Sequence, residues 1–408
     1  MSEPRKIVIV GAGLGGASAA AALRERGYPG EILLLGADPR RPYELPALSK
    51  GVLLGTAEEP DWVHEEKFYA EKDIRFGPGV TATRIELGAR LVLDDAGGEH
   101  RYDRLVLATG SRPRRLPVPG GDLPGLYTLR THDDSLKLRS AFKAAERVVI
   151  VGAGWIGSEA AAAARTHNAE VTVVDPVPVP LANVVGETVG GVFRDLHVSN
   201  GVNYRLGEQV AEITGGPDGV RGVRLSGGEE LTADVVLIAV GAVPRVELAH
   251  AAGLELSDDG GVAVDAGLRT AAPDVYAVGD IAAHFHPRFG RRVRVEHWAN
   301  AKDQGAHVAQ NLLGENEPFL ASPYFFTDQY DLGCEYRGLA ELDRDRLVVR
   351  GDLASADFTA FWVTPENEVS AAMNVNQWDD GDALARLVDE RLKVTDEQLE
   401  SGNLSGIG

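Results

Sequence analysis

Two glycine-rich turns hold the residues whose types and spacing point to chemistry. The first is Gly11-Ala12-Gly13-Leu14-Gly15-Gly16 and the second is Gly152-Ala153-Gly154-Trp155-Ile156-Gly157. In such a turn one glycine takes the tight bend and a second lets the backbone approach a pyrophosphate. A third lets the following helix pack against the preceding strand. Free N–H groups and the dipole at the helix start then favour the anion. An acid follows the next apolar run in each case, Asp38 in the first and Asp175 in the second, placed to hold a ribose hydroxyl. Asp175 also reads as a solvated strand-end acid. As a ligand, its carboxylate would repel a ribose 2′-phosphate, and no Arg or Lys follows within Pro176-Val177-Pro178 to receive one.

The elements around these turns are those a nucleotide site needs. Ile7-Val8-Ile9-Val10 is a short β-branched run, the pattern of a strand buried on both faces. An Ala-rich helix is predicted over 17–26 and a second strand over 32–35. The same order recurs with a strand over 147–151, a helix over 158–166 and a strand over 170–174. A further pair matches: Asp103 to Gly110 resembles Asp234 to Gly241, and Pro113 and Pro244 follow at the same offset. This duplication predicts two related nucleotide-binding units, the second inserted within the first.

Elsewhere the pattern predicts a hairpin within 91–103 and, after the Pro176 to Pro180 cluster, a helix over 181–197. A β-meander over 210–231 turns around Gly215-Gly216-Pro217-Asp218-Gly219, strands fall within 262–277, and a helix covers 300–313. Beyond Pro318, strands over 346–350, 358–363 and 369–374 precede a helix over 380–390, with a mobile tail over 401–408. The predicted fold class is α/β: two Rossmann-like dinucleotide-binding domains plus a C-terminal α+β domain. The expected bounds are 1–110 with 242–318, then 111–241, then 319–408.

Composition narrows the function. The 408 residues allow two or three domains, and 44% hydrophobic with 25% charged residues are ordinary globular values. A formal charge of −20 argues against nucleic acid as a general partner. No apolar run is long enough to span a membrane. Met1-Ser2-Glu3-Pro4 leads straight into the first strand and leaves no room for a signal peptide. Cys334 is the only cysteine, which excludes an intrachain disulfide or dithiol centre and suits a reducing cytoplasm. Neither metal-ligand spacing nor a Ser/His/Asp nucleophile motif appears.

Thr270-Ala271-Ala272-Pro273-Asp274-Val275-Tyr276-Ala277-Val278-Gly279-Asp280 resembles the second FAD fingerprint of two-dinucleotide-domain flavoproteins, in which the terminal Asp binds the ribityl chain. The resemblance implies a glutathione-reductase-like arrangement, FAD at the first turn and NADH rather than NADPH at the second. Pro42 to Lys50, Arg294-Val295-Glu296-His297-Trp298 and Pro323 to Tyr330 narrow it further. They look like the NADH-dependent ferredoxin reductases of the putidaredoxin reductase and biphenyl or toluene dioxygenase reductase type, related to rubredoxin reductase and apoptosis-inducing factor. In that family a lysine of the Leu-Ser-Lys motif lies near flavin N5, partnered by a glutamate after the NAD glycines. The matching positions are Lys50 and Glu159, implied as the catalytic pair. Lys50 alone would read as a surface lysine. Arg130, Val80, Glu296, Trp298 and Phe326 match FAD-contacting positions. The resemblance also places Gly11, Gly13, Gly15, Gly16, Ala37, Asp38, Thr109, Gly110, Gly279 and Asp280 at FAD. It places Gly152, Gly154, Ile156, Gly157, Glu159, Asp175 and Gly241 at NAD. Departures are Leu45 for the usual Arg, Ala47 for a Pro, Phe326 for a Trp and Asn183 for a frequent Arg.

His284, His286, Arg288, Arg291, Arg292 and Arg294 form the one dense basic run of an acidic chain. A basic rim beside a redox centre would steer an acidic iron–sulfur protein; a solvated, charge-balancing loop is the alternative. The implied activity is electron transfer from NADH through FAD to a [2Fe-2S] ferredoxin serving a cytochrome P450 or ring-hydroxylating dioxygenase. No side-chain general acid or base is required. A cytoplasmic monomer or weak homodimer is expected. The alternatives are a rubredoxin reductase and an NADH-responsive protein resembling apoptosis-inducing factor.

Overall fold

The β-branched runs form the strands of two parallel sheets. The computed structural model describes residues 4–217 and 219–407. Asp218 of the predicted turn, Met1 to Glu3 and the final Gly408 lie outside the described residues. The chain divides into one compact unit made of Met1–Glu44, Asp61–Arg112 and Val243–Pro323, and a second made of Leu45–Pro60, Pro113–Ala242 and Tyr324–Gly408.

In the first unit, parallel strands run in the order Val275–Ala277, Arg104–Leu107, Lys6–Val10, Glu31–Gly36 and Ile74–Pro78. The strand that enters the first glycine turn is central, where open α/β sheets bind ligands outside the strand ends. Ile7, Val8 and Ile9 are fully buried, with Ala19, Ala20 and Leu23 of the helix Leu14–Glu25 in the same core. Gly305, in the helix Trp298–Leu312, lets the two helices approach closely: a Cβ there would lie 2.2 Å from the Gly15 carbonyl oxygen.

The second unit repeats the plan. Its parallel sheet runs Val202–Leu206, Glu170–Asp175, Arg147–Val151, Val235–Ile238 and Leu126–Tyr127. The meander is present as Val210–Gly216, Gly219–Leu225 and Glu230–Thr232. Leu53 packs with Leu138, Phe142 and Ile150, which ties the segment Leu45–Pro60 to this unit. An antiparallel sheet follows in the order Tyr324–Gln329, Leu332–Gly338, Val369–Val375, Asp357–Val363 and Arg346–Asp352. One face of it shares a core with Val185, Val189 and Phe193 of the helix Ala182–Ser199, and the other packs on Leu384 and Leu387 of Gly381–Asp389.

Three local expectations are corrected. The helices after the glycine turns begin at Leu14 and Trp155, three residues earlier than predicted, because Gly13 and Gly154 themselves are the N-caps. The helix Ala182–Ser199 is interrupted at Gly186, whose φ of +76° breaks the helical path. The tail over 401–407 is packed onto the C-terminal core. Leu404 and Ile407 are buried in the C-terminal core, and the Arg386 guanidinium donates to the carbonyls of Ser405 and Ile407.

Candidate functional site

The glycines of each turn divide by role. At Gly11 φ is +110°, and an added Cβ would lie 2.1 Å from the Ala108 carbonyl oxygen; at Gly16 it would lie 1.9 Å from the Gly11 oxygen. Gly152, with φ +112°, and Gly157 repeat this against Ala239 and Gly152, at 2.3 and 2.0 Å. These four serve the fold. Gly13 and Gly154 differ, since a Cβ on either would meet nothing within 4 Å. Each caps its helix without a side-chain hydrogen bond, and neither helix has an acid in its first turn. The backbone at both caps is therefore open to close approach, and no first-turn acid competes at either helix start, which fits a pyrophosphate. Gly15 lies against the Ala301 carbonyl, 3.2 Å from where its Cβ would be.

In the first unit Asp38 follows the strand Glu31–Gly36. Its carboxylate accepts from the Arg40 N–H at 2.9 Å and the Tyr43 hydroxyl at 3.0 Å. Ala37 beside it is exposed, and the Val80 N–H donates to the Gly36 carbonyl. Gly110, with φ +66°, follows the strand Arg104–Leu107, and the Thr109 hydroxyl donates to the Arg245 carbonyl. Gly279 adopts φ +74° and donates its N–H to Gln304 Oε1. This turn presents Asp280, buried, whose Oδ2 accepts from the Ser111 hydroxyl at 2.6 Å. Trp298 opens its helix with the Lys302 ammonium 4.8 Å from its ring centre. Burial pushes the neighbouring Glu44 carboxyl above the usual carboxylate range, with Lys302 opposing. Burial also holds His297 neutral, its pKa pushed down to about 4.

In the second unit Asp175 turns back onto the glycine turn. It accepts from the Ala153 N–H at 2.7 Å and the Val177 N–H at 3.0 Å. Ile156 is among the exposed large apolar residues, and Gly241, with φ +94°, faces open space. Arg130 precedes a helix capped reciprocally by Thr131 and Asp134, and its N–H donates to Asp134.

The same unit brings Lys50 to Glu159, with Nζ 2.6 Å from Oε1. Glu159 is 5% exposed. Two hydroxyls complete its shell: Ser49 donates to Oε2 and Thr327 to Oε1, each at 2.5 Å. A buried carboxylate is stable only with such donors, and this one has three. Lys50 Nζ also lies 5.2 Å from the centre of the Phe326 ring. Ser49, Thr327 and Ser111 were not singled out from the sequence. The first two sit inside the Leu-Ser-Lys and Thr-Asp-Gln motifs, but nothing local assigns them to Glu159.

The basic run is not one charged rim. It is the hairpin Ala282–His286 with Arg291–Val293, in which alternation sends His284 and His286 inward, each 1% exposed. Burial pushes His284 down to about 3, so it carries no charge near neutrality. Arg292, exposed, donates to the carbonyls of Val264 and Ala283, and the half-buried Arg294 pairs with Glu296. Arg288 donates to Ser322 at 2.5 Å, and Arg291 is exposed.

Two dinucleotide cradles of one design, with a Gly-Asp turn beside the first and a buried Lys–Glu pair beside the second, define an FAD- and NAD-dependent oxidoreductase. Comparison with known proteins agrees. Residues 5–305 match the family described as pyridine nucleotide-disulphide oxidoreductase, and residues 324–404 match the reductase C-terminal family. The chain is 38% identical over 384 residues, 93% of each chain, to the ferredoxin–NAD(+) reductase component of the anthranilate 1,2-dioxygenase system of Burkholderia cepacia. It is similar to the ferredoxin reductase for the CYP199A2 system from Rhodopseudomonas palustris, with TM-score 0.94, 36% identity and 98% and 99% coverage. It is also similar to a chain of the covalent putidaredoxin reductase–putidaredoxin complex, with TM-score 0.92, 35% identity and 99% and 97% coverage. The chain belongs to the pyridine nucleotide-disulphide oxidoreductase family, in its branch of FAD-dependent ferredoxin–NAD(+) reductases.

Proposed function

We propose that this protein passes electrons from NADH through FAD to a [2Fe-2S] ferredoxin that serves a cytochrome P450 or a ring-hydroxylating dioxygenase. The observation that carries the reading is the pair of like-built cradles in a chain whose one cysteine is buried. Burial pushes the Cys334 thiol well above its ordinary pKa, so no thiolate pair takes the electrons and they must leave to an outside acceptor. The named relatives serve a dioxygenase and the CYP199A2 system, and the acceptor class is carried over from them.

Bound FAD supplies the redox chemistry, taking up a hydride and releasing electrons one at a time. The chain binds and orients. The turn at Gly13 and the N–H groups of Leu14–Glu25 hold the FAD pyrophosphate, Asp38 its ribose and Asp280 its ribityl chain. Val80, Thr109, Arg130, Glu296, Trp298 and Phe326 complete the FAD contacts. The turn at Gly154, with Ile156 and Gly241, holds NADH, and Asp175 selects it by repelling a 2′-phosphate. Lys50 contributes a fixed cation toward the flavin, and Glu159 offsets the cost of burying it. Arg288, Arg291, Arg292 and Arg294 meet the acidic ferredoxin, the last two held by hydrogen bonds to backbone carbonyls. The protein works in the cytoplasm as a monomer or weak homodimer.

The test is cytochrome c reduction by the FAD-loaded protein. NADH should support it only when a [2Fe-2S] ferredoxin is added, and NADPH should do so at least about tenfold less well. Reduction that rubredoxin supports and ferredoxin does not would overturn the acceptor assignment.

A further inference from the structure

Behind Glu159 a chain of buried polar groups runs to the helix Ala182–Ser199. Thr327 Oγ1, which donates to Glu159 Oε1, accepts from Gln329 Nε2 at 3.2 Å. Gln329 Oε1 lies 2.8 Å from His197 Nε2, and the Tyr330 hydroxyl lies 3.4 Å from His197 Nδ1. Thr327, Gln329 and His197 are each 1% exposed or less. The two residues from the strand and the one from the helix lie far from Glu159 in sequence, by 168 residues in the case of Thr327.

The donor–acceptor roles along this chain follow from one another. An amide oxygen only accepts, so the proton between His197 and Gln329 sits on Nε2, and the Tyr330 hydroxyl donates to Nδ1. With its oxygen committed to His197, Gln329 turns its NH2 toward Thr327. A hydroxyl has one proton, and with Thr327 Oγ1 already accepting from Gln329 that proton goes to Glu159. Burial lowers the pKa of His197, which keeps the ring neutral and the order fixed.

We propose that His197 is a positioning residue for the Lys50–Glu159 pair, acting through Gln329 and Thr327 to aim a hydroxyl proton at Glu159. The inference rests on the reading that this pair tunes the flavin. Without the Nε2 donor, Gln329 is free to flip and accept from Thr327, and the hydroxyl leaves Glu159. The carboxylate then faces Lys50 with its charge less dispersed, so the positive field offered to the flavin weakens.

The test measures the flavin midpoint potential, the rate of flavin reduction by NADH and the thermal midpoint in FAD-loaded protein. The variants are His197→Gln, His197→Asn, His197→Leu, Glu159→Gln and the double Glu159→Gln/His197→Leu. A glutamine places its Nε2 where the imidazole Nε2 stands, whereas an asparagine reaches only the Nδ1 position. H197N and H197L should therefore lower the potential and slow flavin reduction about tenfold, the worth of one hydrogen bond to a charged group. H197Q should keep both near the parent values, and H197L should add nothing in the E159Q background. A relay is overturned if E159Q moves the potential while H197N and H197L lower only the thermal midpoint, or if H197Q fails as H197N does. If E159Q itself leaves the potential unmoved, the underlying reading falls and takes the relay with it.

Discussion

Lys50 Nζ lies 2.6 Å from Glu159 Oε1, although 109 residues separate the two in the chain. The pair is asymmetric: the Lys50 side chain is 17% exposed and that of Glu159 only 5%. Removing the cation therefore strands the more deeply buried charge. Lys50→Met should destabilise the protein by about 3 kcal/mol in chemical unfolding, the low end for a broken buried pair because Ser49 and Thr327 still donate to Glu159. It should slow flavin reduction by NADH roughly 10- to 100-fold. The double Lys50→Met/Glu159→Gln should recover most of the stability and none of the rate.

The two open glycines should separate binding from folding. Gly13→Ala is expected to fold and lose FAD, read as a lower ratio of flavin to protein absorbance. Gly154→Ala should keep its FAD and raise the Kd for NADH about tenfold, or about 1.4 kcal/mol. Gly11→Ala, by contrast, should fail to fold, because its Cβ would overlap the Ala108 carbonyl.

Asp175 is aimed by two backbone N–H groups, so its charge is held in one place. Asp175→Ser should weaken NADH and raise the NADPH-to-NADH ratio of kcat/KM about tenfold. An unchanged ratio would show that this carboxylate does not select the cofactor.

How far the molecule could be read from its sequence follows the range of each interaction. The glycine turns and their strands are local patterns, and both formed where the residues indicated. The Lys50–Glu159 pair was reached through motif resemblance, since no spacing rule joins positions that far apart. Ser49, Thr327 and Ser111 needed the folded chain. In the segment His284-Phe285-His286, a hydrophobic pattern would bury the phenylalanine and expose the histidines. The reverse holds, with Phe285 41% exposed. Strand parity is decided by what packs beneath: His284 meets the Phe319 ring, and His286 bonds the Ala321 carbonyl and the Arg288 N–H. The tail reads as polar until Leu404 and Ile407 find the C-terminal core.

Two histidines, His284 and His297, give the protein a pH dependence of stability. His284 and His297 have folded pKa values of about 3 and about 4, below the ordinary 6.5, so the unfolded chain binds more protons between those limits. Their contribution is fully present above pH 6.5 and is lost as pH falls toward 4 and then 3. Each accounts for up to about 1.4 kcal/mol per pH unit. His284→Phe, which can stack on Phe319, should flatten the stability slope between about pH 6 and 4.5 by that amount. An undiminished slope would contradict the assignment.

Charge reversal on the hairpin tests the proposed docking surface. Arg288→Glu with Arg291→Glu should raise the KM for ferredoxin about tenfold at low salt and flatten its salt dependence. Flavin reduction by NADH should be untouched. Unaltered ferredoxin kinetics would place the partner elsewhere.

On the proposed function, electrons enter from NADH and leave singly to a [2Fe-2S] protein. Anaerobic double-mixing stopped-flow tests it most directly: FAD-loaded protein meets NADH, and then a [2Fe-2S] ferredoxin or a rubredoxin. Rapid bleaching of the flavin by NADH followed by rapid reoxidation with ferredoxin is the predicted result. Rapid bleaching that neither carrier reverses would contradict it and turn the assignment toward an NADH-responsive protein.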